Sequence, residues 1–119
     1  DAILLGPDPA TAELNWIECN GRWGGTSIPM TLVNRLTGDW AETPFAVLVP
    51  ERPGPDAFEE ALDRVRDRLF TAGGRSGVVF LSPGDGTGHG LAFLAVAPTI
   101  AEACRDANEA RAILVDGAG

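Results

Sequence analysis

Gly77-Val78-Val79-Phe80-Leu81 and Leu91-Ala92-Phe93-Leu94-Ala95-Val96-Ala97, joined by the glycine-rich run Ser82 to Gly90, organise the reading of the chain. Each is a short apolar run, and the glycine-rich turn between them makes the pair read as two neighbouring strands. Immediately after them, Thr99-x-x-Glu102 has the form of a capping box. It predicts a last helix with Ala103, Cys104, Ala107, Ala110 and Leu114 on its apolar stripe. Upstream, Pro44-Phe45-Ala46-Val47-Leu48-Val49-Pro50 predicts a third strand, and Pro53-Gly54-Pro55 a turn. Asp56-x-x-Glu59 then resembles a second capping box, heading a helix with Phe58, Ala61, Leu62, Val65 and Leu69 at helical spacing and Gly73-Gly74 at its end. From residue 44 the order is therefore strand, helix, strand, strand, helix. That predicts an α+β domain over 44–119, with a sheet of strands starting at Phe45, Val78 and Leu91 and both helices on one face.

Residues 1–43 read differently. Asp1-Ala2-Ile3-Leu4-Leu5 and Leu14-Asn15-Trp16-Ile17-Glu18 predict two strands around a turn-rich segment, Gly6 to Glu13. A hairpin with Asp1 opposite Glu18, Ile3 opposite Trp16 and Leu5 opposite Leu14 would gather Asp1, Glu18 and Asn20 on one face. Like charges facing each other destabilise a ladder, and a bound cation would relieve that repulsion. Glu18 and Asn20, two apart on a strand, share a face and offer hard oxygen ligands of the kind magnesium takes when it also holds phosphate. Arg22 adds a planar donor fork suited to phosphate, and Gly24-Gly25 lets backbone approach a ligand. Ser27 or Thr26 then caps a helix with Pro29 in its first turn and Met30, Leu32, Val33 and Leu36 at its apolar positions, ending at Gly38.

Glu18-x-Asn20-x-Arg22 resembles the closing Glu-x-Asn-x-Arg signature of the ATP-grasp ligases. The surrounding Asn20-Gly21-Arg22-Trp23-Gly24-Gly25-Thr26-Ser27-x-Pro29-Met30 is similar to the actinobacterial, pheganomycin-type peptide-ligase branch of that family. The resemblance implies that residues 1–43 are the C-terminal end of an ATP-grasp domain, a metal-binding hairpin with its following helix. Residues 44–119 would be the small domain that follows many such cores. It implies ATP and Mg²⁺ as cofactors, with Asp1, Glu18 and Asn20 as magnesium ligands and Arg22 as the catalytic contact to phosphate or acylphosphate. Gly24, Gly25 and Thr26 would line the substrate side. The reaction implied is amide formation between a carboxylate and an amine through an acylphosphate. The partners implied are upstream ATP-grasp domains of the same protein and small-molecule or peptide carboxylate and amine substrates. The family's nucleotide-binding lysines lie upstream, and this chain contains no lysine. The expectation is therefore of a C-terminal fragment, inactive alone, from a bacterial cytoplasmic enzyme. The alternative from another class is a stand-alone α+β binding or interaction module.

Composition narrows the classes further. The 119 residues carry a net charge of −8, and all nine basic residues are arginine. An acidic chain without a basic stripe argues against nucleic acid and against anionic membrane surfaces. Arg64, Arg66 and Arg68 alternate with Asp63 and Asp67 and read as a solvated helix face. Cys19 and Cys104 stand alone without metal-ligand spacing and read as buried thiols. Trp16 and Trp23 flank the signature as a wall near the site, although core packing explains Trp16 equally well, and Trp40 lies in a linker able to dock the two parts. Gly84-Asp85-Gly86-Thr87-Gly88-His89-Gly90 looks like a phosphate loop, but a strand follows it where a phosphate loop requires a helix. It reads as a flexible hairpin connection, with His89, the single histidine, exposed in the turn.

Overall fold

Leu91–Val96 (β5) is apolar almost throughout because both of its faces are covered. The computed structural model describes residues 2–6, 8, 10–16 and 27–117. In it β5 is the middle strand of a three-stranded sheet, flanked by Phe45–Leu48 (β3) and Gly77–Pro83 (β4), both antiparallel to it. β3 and β4 thus run parallel to each other with β5 between them, a split βαβ arrangement. A separate two-stranded sheet pairs Ala2–Leu5 (β1) with Glu13–Trp16 (β2). Three α-helices, Ser27–Thr37 (α1), Phe58–Arg64 (α2) and Ile100–Asp116 (α3), complete the described architecture, which is α+β as expected.

Strand alternation sends successive side chains to opposite faces, and the core divides accordingly. On one face Val78, Leu91, Phe93 and Ala95 pack with Ala61 and Val65 from the α2 region and with Ala107, Ala110 and Leu114 of α3. Both expected helices do lie on that face. Phe80 stacks edge-on between Phe58 and Phe93, at centroid distances of 5.1 and 6.1 Å. On the other face Leu94 and Val96 pack with Val33 of α1, joined by Phe45, Val79, Leu81 and Phe70. The helix expected to belong to the first unit therefore shares a core with the sheet of the second. Each fully buried Val, Leu or Phe among them stabilises the fold by about 1.5–3 kcal/mol, the alanines by less.

The helix ends correct several expectations. Thr99 caps α3 as anticipated: its Oγ1 accepts from the Glu102 N–H at 3.2 Å and donates to Glu102 Oε2 at 2.9 Å. Asp56 does not cap α2. The N-cap is Ala57, in extended geometry, with no side-chain bond. Nor does that helix run on through Leu69. It stops at Arg64, continues as a single 3₁₀ turn over Arg66–Arg68, and is extended at Leu69. Leu69 bridges Val78 in parallel, and the Phe70 N–H donates to the Val78 carbonyl at 2.9 Å. Edge pairing to β4 thus takes residues that helical periodicity assigned to α2. Cys104 is exposed, not buried, because it sits one position past Ala103, which faces the core. Leu36, expected on the apolar side of α1, is also exposed.

Candidate functional site

Asp1, Glu18, Asn20, Arg22, Gly24, Gly25 and Thr26, the residues on which the ligase site was expected, lie outside the described residues, as do Cys19 and Trp23. What the structure does describe is the frame on either side of them. β2 ends at Trp16 and α1 begins at Ser27, so the signature spans the link between a strand and a helix.

The described hairpin register differs from the expected one. Ala2 pairs with Trp16, Ile3 with Asn15, Leu4 with Leu14 and Leu5 with Glu13. This is one residue out of step with the pairing that set Ile3 against Trp16. A one-residue slip in an antiparallel pair exchanges the faces of one strand relative to the other. The register argument that placed Asp1 beside Glu18 therefore loses its premise. The two-residue spacing of Glu18 and Asn20 does not depend on that register. The turn supplies the reason for the slip: the Ala10 N–H bonds Asp8 Oδ1 at 3.0 Å and the Thr11 N–H bonds the Asp8 carbonyl at 3.1 Å, so a tight Asx turn shortens the connection.

α1, which leaves the signature, is firmly held. Pro29 and Val33 are buried, the Thr37 hydroxyl donates to the Val33 carbonyl at 2.9 Å, and the Gly38 N–H closes the helix on the Asn34 carbonyl at 2.9 Å. Ser27, Met30, Thr31 and Asn34 line an open cleft of about 270 Å³ together with Trp40. The linker between α1 and β3 is tied by the Thr43 hydroxyl donating to the Asp39 carbonyl at 2.6 Å.

The Gly84–Gly90 connection is ordered by its own side chains. Asp85 Oδ1 accepts from the Thr87 N–H at 2.9 Å, the Thr87 hydroxyl at 2.7 Å and the His89 N–H at 3.2 Å. These bonds, that of the Thr87 hydroxyl first, hold the Asp85 carboxyl below its usual pKa. Two of the connection's backbone amides, those of Thr87 and His89, are thus already bound to a carboxylate. Gly88 is required by close approach: its carbonyl accepts from the Gly54 N–H at 2.8 Å, and a Cβ there would lie 2.3 Å from the Gly54 oxygen. That docking onto Pro53-Gly54-Pro55 was not legible in the sequence, where the only signal was two separate turn-forming runs.

The arginines behave as a solvated set. Arg64 pairs with Glu60 at 2.6 Å, Arg68 with Glu109 at 2.6 Å and Arg105 with Asp106 at 2.9 Å, while Arg66 pairs with Asp63 and Arg52 with Asp116. Such surface pairs contribute about 0–1 kcal/mol each. Arg64 also donates to the Leu114 carbonyl at 2.9 Å, satisfying one of the free carbonyls at the end of α3. Among the described residues no group of three or more His, Cys, Asp or Glu side chains is placed to hold a metal ion. No described helix is long and apolar enough to cross a membrane. No family model, curated protein or solved structure matches the chain.

Proposed function

We propose that this chain supplies the closing metal- and phosphate-binding signature of an ATP-grasp carboxylate–amine ligase, followed by a small α+β domain. The observation that carries the reading is Glu18-x-Asn20-x-Arg22 with Gly24-Gly25 behind it, spanning the link from β2 to α1. The donor chemistry fits magnesium: a carboxylate and a carboxamide at strand spacing provide hard oxygens. When bound, the metal ions supply charge compensation for the transferring phosphoryl group. In this reading Glu18 and Asn20 hold them, with Asp1 as a further ligand by family resemblance alone. Arg22 offers its two-pronged fork to the acylphosphate, stabilising charge as the amine attacks. Gly24, Gly25 and Thr26 border the substrate. The nucleotide-binding lysines would come from upstream domains of the parent protein, and the cytoplasm, with its ATP, is the compartment that the reading implies. The sheet domain would buttress the signature through α1, whose Val33 is fully buried against Leu94 and Val96.

The test is Glu18→Gln in the parent ligase. A neutral amide cannot compensate the metal charge, so ATP-dependent, amine-dependent ADP release should fall by about a thousandfold or more, which is at least about 4 kcal/mol of transition-state stabilisation. The circular dichroism spectrum should stay unchanged. Near-normal turnover in that variant would reject the assignment and leave a non-catalytic binding module as the better account.

A further inference from the structure

We infer that the cleft between the end of α1 and the turn at 73–75 binds a free amino acid with an apolar side chain, Glu42 taking its ammonium group and Arg75 its carboxylate. The inference stands apart from the ligase reading: Leu36 and Thr37, which line this cleft, end α1, whereas the signature precedes its first residue. The space is about 410 Å³, within the roughly 300–1,000 Å³ of small-molecule sites. Its position follows from the sheet. Val96 of β5 pairs with Phe45 on one side and with Gly77 on the other, so the segments leading into β3 and β4 flank the end of β5. Residues 42–44, 73–75 and 97–98 all line the cleft there.

The cleft holds one charge of each sign. Glu42 and Arg75 are its charged lining residues, and neither has an ion-pair or hydrogen-bond partner among the described residues. Arg52, Arg64, Arg66, Arg68 and Arg105, by contrast, each pair with a carboxylate. The sheet explains why Glu42 and Arg75 do not meet. The strands that follow them lie two inter-strand spacings apart, roughly 10 Å, with β5 between. A lone cation entering the cleft meets Arg75, and a lone anion meets Glu42. An α-amino acid carries both charges on one carbon and offers each group its opposite, through charge-assisted hydrogen bonds of about 2.7–2.9 Å.

The rest of the lining selects the side chain. Leu36, Pro44, Ala97 and Pro98 are apolar, and they leave a third charge without a partner. Leu36 is 36% exposed, so an apolar ligand side chain laid on it removes apolar surface from water. Gly73 and Gly74 present backbone to the cleft and leave it room. The frame is already tied by its own bonds. The Ala97 N–H donates to the Pro44 carbonyl at 3.2 Å, and the Gly74 N–H donates to the Thr71 carbonyl at 2.8 Å in the turn that carries Arg75. The Thr43 hydroxyl, next to Glu42, donates to the Asp39 carbonyl at 2.6 Å. Such a frame loses little freedom when a ligand enters.

The test is a titration of the full isotope-labelled chain with L-leucine, followed by amide chemical shifts in NMR. The expected result is a saturable shift of the Gly73, Gly74, Arg75 and Ala97 amides. N-acetyl-L-leucine and L-leucinamide each keep one of the two charges and should bind at least about tenfold more weakly, the loss expected for one hydrogen bond between charged groups. Glu42→Gln and Arg75→Gln should each weaken L-leucine binding by a similar factor. The analogues make the same comparison on the unmodified chain, so the test does not depend on either variant folding. Unmoved amides in the presence of L-leucine overturn the inference. So does an analogue that binds as tightly as L-leucine, or binding that both variants leave intact.

Discussion

α2 and α3 begin with nearly the same sequence signal and fold differently at their starts. Asp56-x-x-Glu59 and Thr99-x-x-Glu102 both have the spacing of a capping box, yet only Thr99 caps its helix. α3 runs seventeen residues and lays an uninterrupted stripe of Ala103, Ala107, Ala110 and Leu114 on the sheet. α2 runs seven and yields to a 3₁₀ turn once Leu69 is drawn into edge pairing with Val78. A cap signal thus sets a helix start only where packing leaves the preceding residue free to adopt cap geometry. In α2 the Pro53–Pro55 turn is held by Gly88, and the chain enters its helix one residue later than the capping pattern requires.

The contrast can be broken at several strengths. The largest effect is expected where α3 meets the sheet: Leu114→Ala, at a site with no exposure, should destabilise the fold by about 2–5 kcal/mol in urea unfolding. A loss below about 1 kcal/mol would mean that the α3 stripe does not hold the domain together. Next, Thr99→Ala should cost about 1 kcal/mol by the same measurement, since it leaves the Glu102 N–H without its acceptor. Asp56→Ala closes the series. With no capping bond to lose, it should stay within about 0.5 kcal/mol of the parent. If Asp56→Ala were as costly as Thr99→Ala, the two helix starts would be equivalent and the comparison would collapse.

The candidate site divides along similar lines. Glu18, Asn20 and Arg22 are legible through residue type and spacing alone, because those chemical requirements hold whatever the surrounding fold. The partnership of Asp1 with Glu18 rested instead on a hairpin register. Register depends on the turn, and the Asp8 Asx turn pairs Ala2 with Trp16 and Leu5 with Glu13. The strand expected after the Gly84–Gly90 run is there, as β5. The run's capture by Asp85 and its docking on Gly54 join residues distant in sequence, and no local pattern announces such contacts.

Local chemistry was enough to specify the α+β class, the three strands expected from Phe45, Val78 and Leu91 (the middle one begins at Gly77), the α3 cap and the face shared by α2 and α3. Each follows from hydrophobic period or cap geometry, which act within a few residues. Tertiary structure alone decided the β3-β5-β4 order, the packing of Val33 on the second face of the sheet, the early end of α2 and the exposure of Cys104. Those outcomes turn on which distant surfaces compete for the same apolar side chain or the same unpaired N–H. The chain settles that competition only once its elements have met.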